Sequence, residues 1–125
     1  MRLLLDTHVL LWWLADDPSL SEEARVVISD PGSSVFVSVA TVWEVSIKQA
    51  LGKLEAPSDL LHRIELNRFE PLSMTISHAY TAGALPRHHD DSFDRMLVAQ
   101  AMKENLVLQT GDPRMSRYGV ETLAA

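Results

Sequence analysis

Four acidic residues occupy positions from which they could share one metal ion. Asp6 directly follows a run of three leucines, and Asp112 follows a later strand-like segment after a single glycine. Asp94 lies in the first turn of one predicted helix, and Glu44 lies one to two turns into another. Carboxylate oxygens are the ligands that Mg²⁺ and Mn²⁺ prefer. Brought together, these acids predict a divalent-cation site that can activate water against a phosphate ester.

The predicted order of strands and helices explains why the four acids should converge. Apolar strands at Leu3–Leu5, Val35–Val37 and Leu106–Thr110 alternate with helical segments, which indicates a parallel sheet covered by helices on both faces. Ligands of such sheets bind at the carboxyl ends of the strands, where Asp6 and Asp112 lie. Helices that cross back over the sheet begin at that same edge, so Glu44 and Asp94 should join them.

The remaining elements complete a predicted α/β fold. Proline, glycine and capping residues predict helices over about 8–15, 21–30, 38–51, 58–67, 76–84 and 93–104, and a short one after Pro113. Ser19 or Ser21 is the expected cap of the second helix, and Ser58 that of the fourth. Residues 69–72 read as a short edge strand and 120–123 as a last strand. The helix over 38–51 is apolar on more than one face, so we expect it to be largely buried. Trp12, Trp13 and Trp43 are assigned to the core.

Each acid also has a purely structural interpretation. Asp112 before Pro113 is a good helix N-cap, and Glu44 could simply pair with Lys48 four residues later. Asp6 is harder to explain in this way, because an acid beside an apolar strand lies near the interior and needs a partner. The convergence of all four, rather than any one of them, favours the metal site.

The segment before the third acid contains other candidates. Asp91 suits the N-cap of its helix, which leaves Asp94 as the better third ligand, although Asp91 remains an alternative. His88 and His89 precede both acids. We give these histidines little weight as metal ligands because hard cations prefer oxygen, and we expect a solvated loop or a phosphate contact instead.

Composition limits the class of protein. The chain has 125 residues, 46% of them apolar, which is enough for one domain with its own core. There is no cysteine, so disulfides and thiolate metal sites are excluded, in keeping with a reducing cytoplasm. Asp6 and His8 interrupt the apolar N-terminus, which argues against a membrane helix or signal peptide.

The net charge of −6 has the wrong sign for a nucleic-acid binder, but the distribution of charge matters more than the sum. Arg95, Arg114 and Arg117 flank the last two acids and are candidate contacts for RNA phosphates. Tyr80 and Tyr118 could stack on bases, although packing is the simpler expectation.

The sequence resembles a known family over essentially its whole length. Four segments carry the resemblance: L-L-L-D-T-H-V-L-L-W-W-L at 3–14, S-V-A-T-V-W-E-V-S-I-K-Q-A-L-G-K-L at 38–54, H-H-D-D-S-F-D-R-M-L-V-A-Q-A at 88–101, and L-Q-T-G-D-P-R-M-S-R-Y at 108–118. In this order they are similar to the motifs of PIN domains of the VapC toxin type. One departure is Ser92, where relatives often have proline.

The resemblance implies a single PIN domain over residues 1–125, a three-layer α/β/α sandwich around a mostly parallel sheet of four to five short strands. It implies a ribonuclease dependent on Mg²⁺ or Mn²⁺, with Asp6, Glu44, Asp94 and Asp112 as the catalytic acids and metal ligands. Thr7 and Thr110 match small polar positions near the metal. A small antitoxin and a homodimer are the implied partners.

Alternative functions remain open from the sequence alone. A related metal nuclease could act in RNA processing or on DNA, and a catalytically silent module could only bind a protein. A phosphotransfer domain with Asp6 as acceptor fits poorly, because no adjacent acid pair or partner lysine accompanies it. For the toxin, we expect an apolar groove near Trp12 or Trp13 to receive the antitoxin, which would present an arginine or a lysine to the acids, with arginine preferred.

Overall fold

A parallel sheet of five short strands lies at the centre of the fold. The computed structural model describes all residues, 1–125. The strands are β1 (Arg2–Leu5), β2 (Ser34–Ser38), β3 (Glu70–Leu72), β4 (Val107–Thr110) and β5 (Thr122–Ala124). Their order across the sheet is β3-β2-β1-β4-β5, and every neighbouring pair is parallel. The predicted α/β fold is confirmed, with a sheet that is wholly rather than mostly parallel.

Six α-helices and one 3₁₀ helix connect these strands. They are α1 (Thr7–Ala15), α2 (Glu22–Ser29), α3 (Val39–Ala50), α4 (Leu60–Leu66), α5 (Ile76–Ala84), α6 (Ser92–Glu104) and the 3₁₀ helix Pro113–Tyr118. None of the helices combines the length and the apolar character required to cross a membrane.

The alternation of side chains along β1 separates two apolar cores. Leu3 and Leu5 point to one face of the sheet, where they pack with residues of α1, α2 and α4. Leu4 points to the other face and packs with α6 and the 3₁₀ helix. All three leucines are fully buried, as expected for a central strand of a parallel sheet covered on both faces.

Capping side chains set the helix starts; they decide between two candidate caps for α2 and correct the predicted cap of α4. The Ser21 hydroxyl, rather than that of Ser19, accepts the backbone N–H of Ala24 at 3.1 Å and caps α2. Ser58 does not cap α4, which begins later than predicted and whose N-cap residue, Asp59, makes no side-chain capping bond. The first turn of α4 therefore lacks the side-chain cap that the sequence predicted.

Helix α3 differs most from the sequence prediction. Its apolar residues Val39, Trp43 and Ile47 lie on the outer face, and the Trp43 side chain is 56% exposed. The prediction that Trp43 belongs to the core is wrong. Trp43 instead packs edge-on against Phe93 at a centroid distance of 5.4 Å. A helix with apolar residues all round does not indicate which of its faces the protein covers.

Candidate metal centre

Asp6 lies at the carboxyl edge of the sheet, directly after the central strand β1. Its backbone N–H donates to the Gln109 carbonyl at 3.1 Å, which continues the β1–β4 pairing past the end of β1. One carboxylate oxygen accepts the Val9 N–H at 2.8 Å and caps α1. The other accepts the Thr110 hydroxyl. Burial raises the pKa of Asp6 despite these hydrogen bonds, because the charged carboxylate is removed from water.

Glu44 is almost fully buried and is held by two side chains. The Thr7 hydroxyl donates to its Oε1 at 2.6 Å, and the Lys48 ammonium donates to its Oε2. Glu44 therefore forms the predicted pair with Lys48 and also lies at the group of acids. The hydrogen bond to Glu44 raises the pKa of Lys48, as do the nearby charges of Asp91 and Asp94. Lys48 thus supplies positive charge to this group of acids.

Asp94 lies at the N-terminal end of α6, where the charges of other acids act on it. Asp91 caps the helix by accepting the Asp94 N–H at 2.9 Å, as predicted. Burial, followed by the charges of Asp91, Asp6 and Glu44, raises the pKa of Asp94 to about 6. The negative charges therefore converge on Asp94, and a cation bound there would relieve their repulsion.

Asp112 is the fourth acid, and two neighbours hold it. Its backbone N–H donates to the Thr110 hydroxyl at 3.0 Å, so Thr110 links Asp112 to Asp6. The Arg114 guanidinium grips both carboxylate oxygens, the shortest contact being 2.7 Å from Nη2 to Oδ2. This contact holds the pKa of Asp112 below its usual range. Asp112 also caps the 3₁₀ helix, as the sequence predicted.

His89 is the residue near these acids that sequence reasoning undervalued. Its side chain is 4% exposed, and its Nε2 lies 3.3 Å from Asp94 Oδ2. Ligand atoms of His89, Asp94 and Asp112 all lie within 4.8 Å of one another. The expectation of a solvated histidine is wrong for His89 and correct for the exposed His88. The available signal was its position two residues before the helix cap, but the preference of hard cations for oxygen argued against it.

The candidate phosphate contacts have different surroundings. Arg95 donates to the carbonyls of Ala82, Leu85 and Pro86 at 2.9 to 3.1 Å, so its guanidinium fixes the loop before α6. These bonds give Arg95 a structural role, and its contact with RNA phosphates stays a prediction. Arg117 is exposed, and Arg114 reaches the site through its contact with Asp112.

Two aromatic residues lie at the surface, Trp13 in a groove and Tyr80 in the open. Trp13 lines a groove with a volume of about 650 Å³ between α1, α2 and α4, with Leu14, Leu66 and Arg63 among the other lining residues. This groove lies beside the first helices, as expected, but six of its nine lining residues are polar or charged, so it is not the apolar groove that was predicted. Tyr80 is 82% exposed, so the expectation that it packs in the core is wrong.

The donor set fits a divalent cation. Asp6, Glu44, Asp94 and Asp112 supply carboxylate oxygens. The charges of Asp6 and Glu44 help to raise the pKa of Asp94, and the charge of Asp112 helps to raise that of Asp6. Asp94 and Asp112 approach each other most closely together with His89, whereas Asp6 and Glu44 lie outside that compact trio. Hard oxygen ligands of this kind bind Mg²⁺ or Mn²⁺, often with water completing the coordination.

Comparison with known proteins agrees with this architecture. The family model of the PIN domain matches residues 3–121. Ribonuclease VapC16 of Mycobacterium tuberculosis is 31% identical over 62 residues, which is 48% of this chain and 44% of that protein. The match thus spans less than half the length of this relative.

Solved structures share the fold over the whole chain. A chain of VapBC2 from Rickettsia felis, bound to a DNA fragment from their promoter, has a TM-score of 0.74 at 15% identity, covering 100% of this chain and 99% of that one. A chain of a toxin–antitoxin complex from Klebsiella pneumoniae has a TM-score of 0.67 at 19% identity, covering 96% and 94%. Because the family model spans nearly all of the sequence and these structures share its fold, the chain belongs to the PIN-domain family.

Proposed function

We propose that this chain is an endoribonuclease dependent on Mg²⁺ or Mn²⁺ and the toxin of a toxin–antitoxin pair. It acts as one domain over residues 1–125, in the cytoplasm. The observation that carries the proposal is the group of acids at the carboxyl edge of the sheet, where burial and neighbouring carboxylates raise the pKa of Asp94 to about 6. The similarity to Ribonuclease VapC16 supports RNA as the substrate.

The chain's residues divide into ligands and positioning groups. Asp6, Glu44, Asp94 and Asp112 hold the cation. Thr110 orients the Asp6 carboxylate and fixes the backbone of Asp112. Thr7 orients the Glu44 carboxylate through its hydroxyl. A divalent cation bound by these carboxylates supplies an activated water and positive charge beside the scissile phosphate.

The test is cleavage of RNA and of a matched DNA by wild type and by Asp6→Asn. Asparagine can still cap α1, so we expect a folded protein without activity, and wild type should lose activity in EDTA. Asp30→Asn is the matched control, because Asp30 lies in the turn before β2 and its side chain accepts only the Gly32 N–H. Full activity of Asp6→Asn, or cleavage unaffected by chelator, contradicts the assignment. If the protein cleaves the DNA but not the RNA, its substrate is DNA.

The antitoxin is assigned to the groove between α1, α2 and α4, where three apolar side chains, Trp13, Leu14 and Leu66, lie among six polar or charged ones. The toxin–antitoxin complex that shares the fold supports a protein partner. An arginine from that partner suits the acidic group, because Arg114 already shows that Asp112 accepts a guanidinium through both oxygens.

The outer face of α3 supports the homodimer. Val39, Trp43, Ile47 and Leu51 follow one another at four-residue spacing, and each side chain is more than a third exposed. Exposed apolar stripes of this kind mark association surfaces. Ile47→Glu should therefore give the mass of one chain by light scattering with an unchanged circular dichroism spectrum, whereas an unchanged dimer mass contradicts this surface.

A further inference from the structure

We propose that His89 is a ligand of the cation and supplies a nitrogen beside the oxygens of Asp94 and Asp112. This inference rests on the proposed metal-dependent nuclease and identifies a further residue of the same site. Its basis is the position of a buried imidazole whose Nε2 faces the carboxylates rather than solvent.

The distances among the three residues suit one shared ion. Octahedral coordination with bonds of about 2.1 Å places neighbouring ligand atoms about 3.0 Å apart and opposite ones about 4.2 Å apart. His89 Nε2 and Asp94 Oδ2 are 3.3 Å apart, which is close to the separation of neighbouring ligands. The ligand atom of Asp112 lies within 4.8 Å of both. These separations approach those that one octahedral ion imposes on its ligands, and the three side chains would draw together around the ion on binding.

The second nitrogen of the imidazole has the partner that a metal-bound histidine requires. His89 Nδ1 lies 2.6 Å from the Tyr118 hydroxyl, which can accept a hydrogen bond as well as donate one. That hydroxyl also lies 3.4 Å from the His89 carbonyl oxygen, to which it can donate. With the proton on Nδ1 directed to Tyr118, the lone pair of Nε2 faces Asp94. Metal-bound histidines commonly donate their other ring N–H to an oxygen in this way.

Tyr118 is itself well placed to fix this arrangement. It is 7% exposed and packs in the second apolar core. It ends the 3₁₀ helix that Asp112 caps, while His89 lies just before α6, which carries Asp94. The His89–Tyr118 contact therefore connects the two segments that supply the carboxylates.

A nitrogen ligand changes which ion the site favours. Mg²⁺ is bound almost entirely through oxygen, whereas transition-metal ions accept imidazole. The proposal therefore predicts that His89 raises the affinity for Mn²⁺ more than that for Mg²⁺. Mn²⁺ is also a direct probe, because its pulsed electron paramagnetic resonance spectrum detects coupling to a ligand nitrogen.

The experiment loads the full chain with Mn²⁺ and compares wild type with His89→Gln. We expect nitrogen coupling in wild type and its loss in His89→Gln, with Mn²⁺ affinity lowered by about tenfold or more. His88→Gln and His8→Gln are the matched controls: His88 is the exposed neighbour, and His8 is the histidine whose charge acts on Asp6. Both should retain the coupling. Tyr118→Phe should retain the coupling and weaken Mn²⁺ binding.

The outcomes separate this inference from the function on which it rests. Bound Mn²⁺ without nitrogen coupling in wild type, or coupling that persists in His89→Gln, overturns the role of His89 as a ligand. If His89→Gln does not fold, loss of the coupling in either control overturns it as well, because another histidine is then the source. If Mn²⁺ binding is absent, or is unchanged in Asp94→Asn, the metal site itself fails rather than the role of His89.

Discussion

Replacing Asp94 with asparagine should stabilise the metal-free protein, although it removes a proposed ligand. Burial, followed by the charges of Asp91 and Asp6, raises the pKa of Asp94 from 3.8 to about 6. A rise of about two units, at about 1.4 kcal/mol per unit, sets an upper limit of about 3 kcal/mol for the cost of ionising this carboxyl at neutral pH. The side chain is 21% exposed, so solvent screening lowers our expectation to about 1–2 kcal/mol.

The sign of the pH dependence follows from the raised pKa. The folded protein binds more protons at Asp94 than the unfolded chain does between 3.8 and about 6. The cost is therefore absent below this window, grows as the pH rises through it, and is complete above it. The advantage of Asp94→Asn over wild type should be largest near pH 8 and small near about pH 4.

The assay is urea denaturation in EDTA at both pH values, with thermal melting as a second measure. At the higher pH the melting temperature of Asp94→Asn should exceed that of wild type by roughly 4–8 °C. Asp90→Asn is the control, since Asp90 is exposed and pairs only with Arg87; its stability should be nearly unchanged. Added Mg²⁺ should stabilise wild type more than Asp94→Asn. A destabilised Asp94→Asn at high pH, or a gain independent of pH, would refute the argument from charge repulsion.

Two further changes test the assignments made above. Arg95→Ala should lower the free energy of unfolding by about 2 kcal/mol, since it leaves the carbonyls that Arg95 binds without their donor; an unchanged urea midpoint would contradict this. Arg114→Ala should instead leave the fold intact, weaken RNA binding across sequences and reduce its salt slope by about 1, whereas a loss confined to one RNA sequence would identify Arg114 as a base contact. Titration of the antitoxin at several Mg²⁺ concentrations should show that its affinity rises as Mg²⁺ is removed and falls in Asp6→Asn. If neither change alters the affinity, the inhibitor binds away from the metal site.

The sequence by itself determined the class of fold and the edge of the sheet that carries the acids. Asp6 and Asp112 each follow an apolar strand, and parallel strands have their carboxyl ends at one edge. Local rules were also sufficient for the caps formed by Asp91 and Asp112, because a cap depends on residues within one turn of the helix.

Tertiary structure decided which side chains surround those acids. Pairing of β1 with β4 places Thr110 against Asp6, 104 residues away in sequence, and no local pattern specifies that neighbour. The path of the loop before α6 turns His89 inward and places Arg95 among backbone carbonyls. Trp43 lies outside because α3 is apolar on several sides and packing covers only some of them. Helix periodicity determines which residues share a face, whereas the partner elements determine which face is buried.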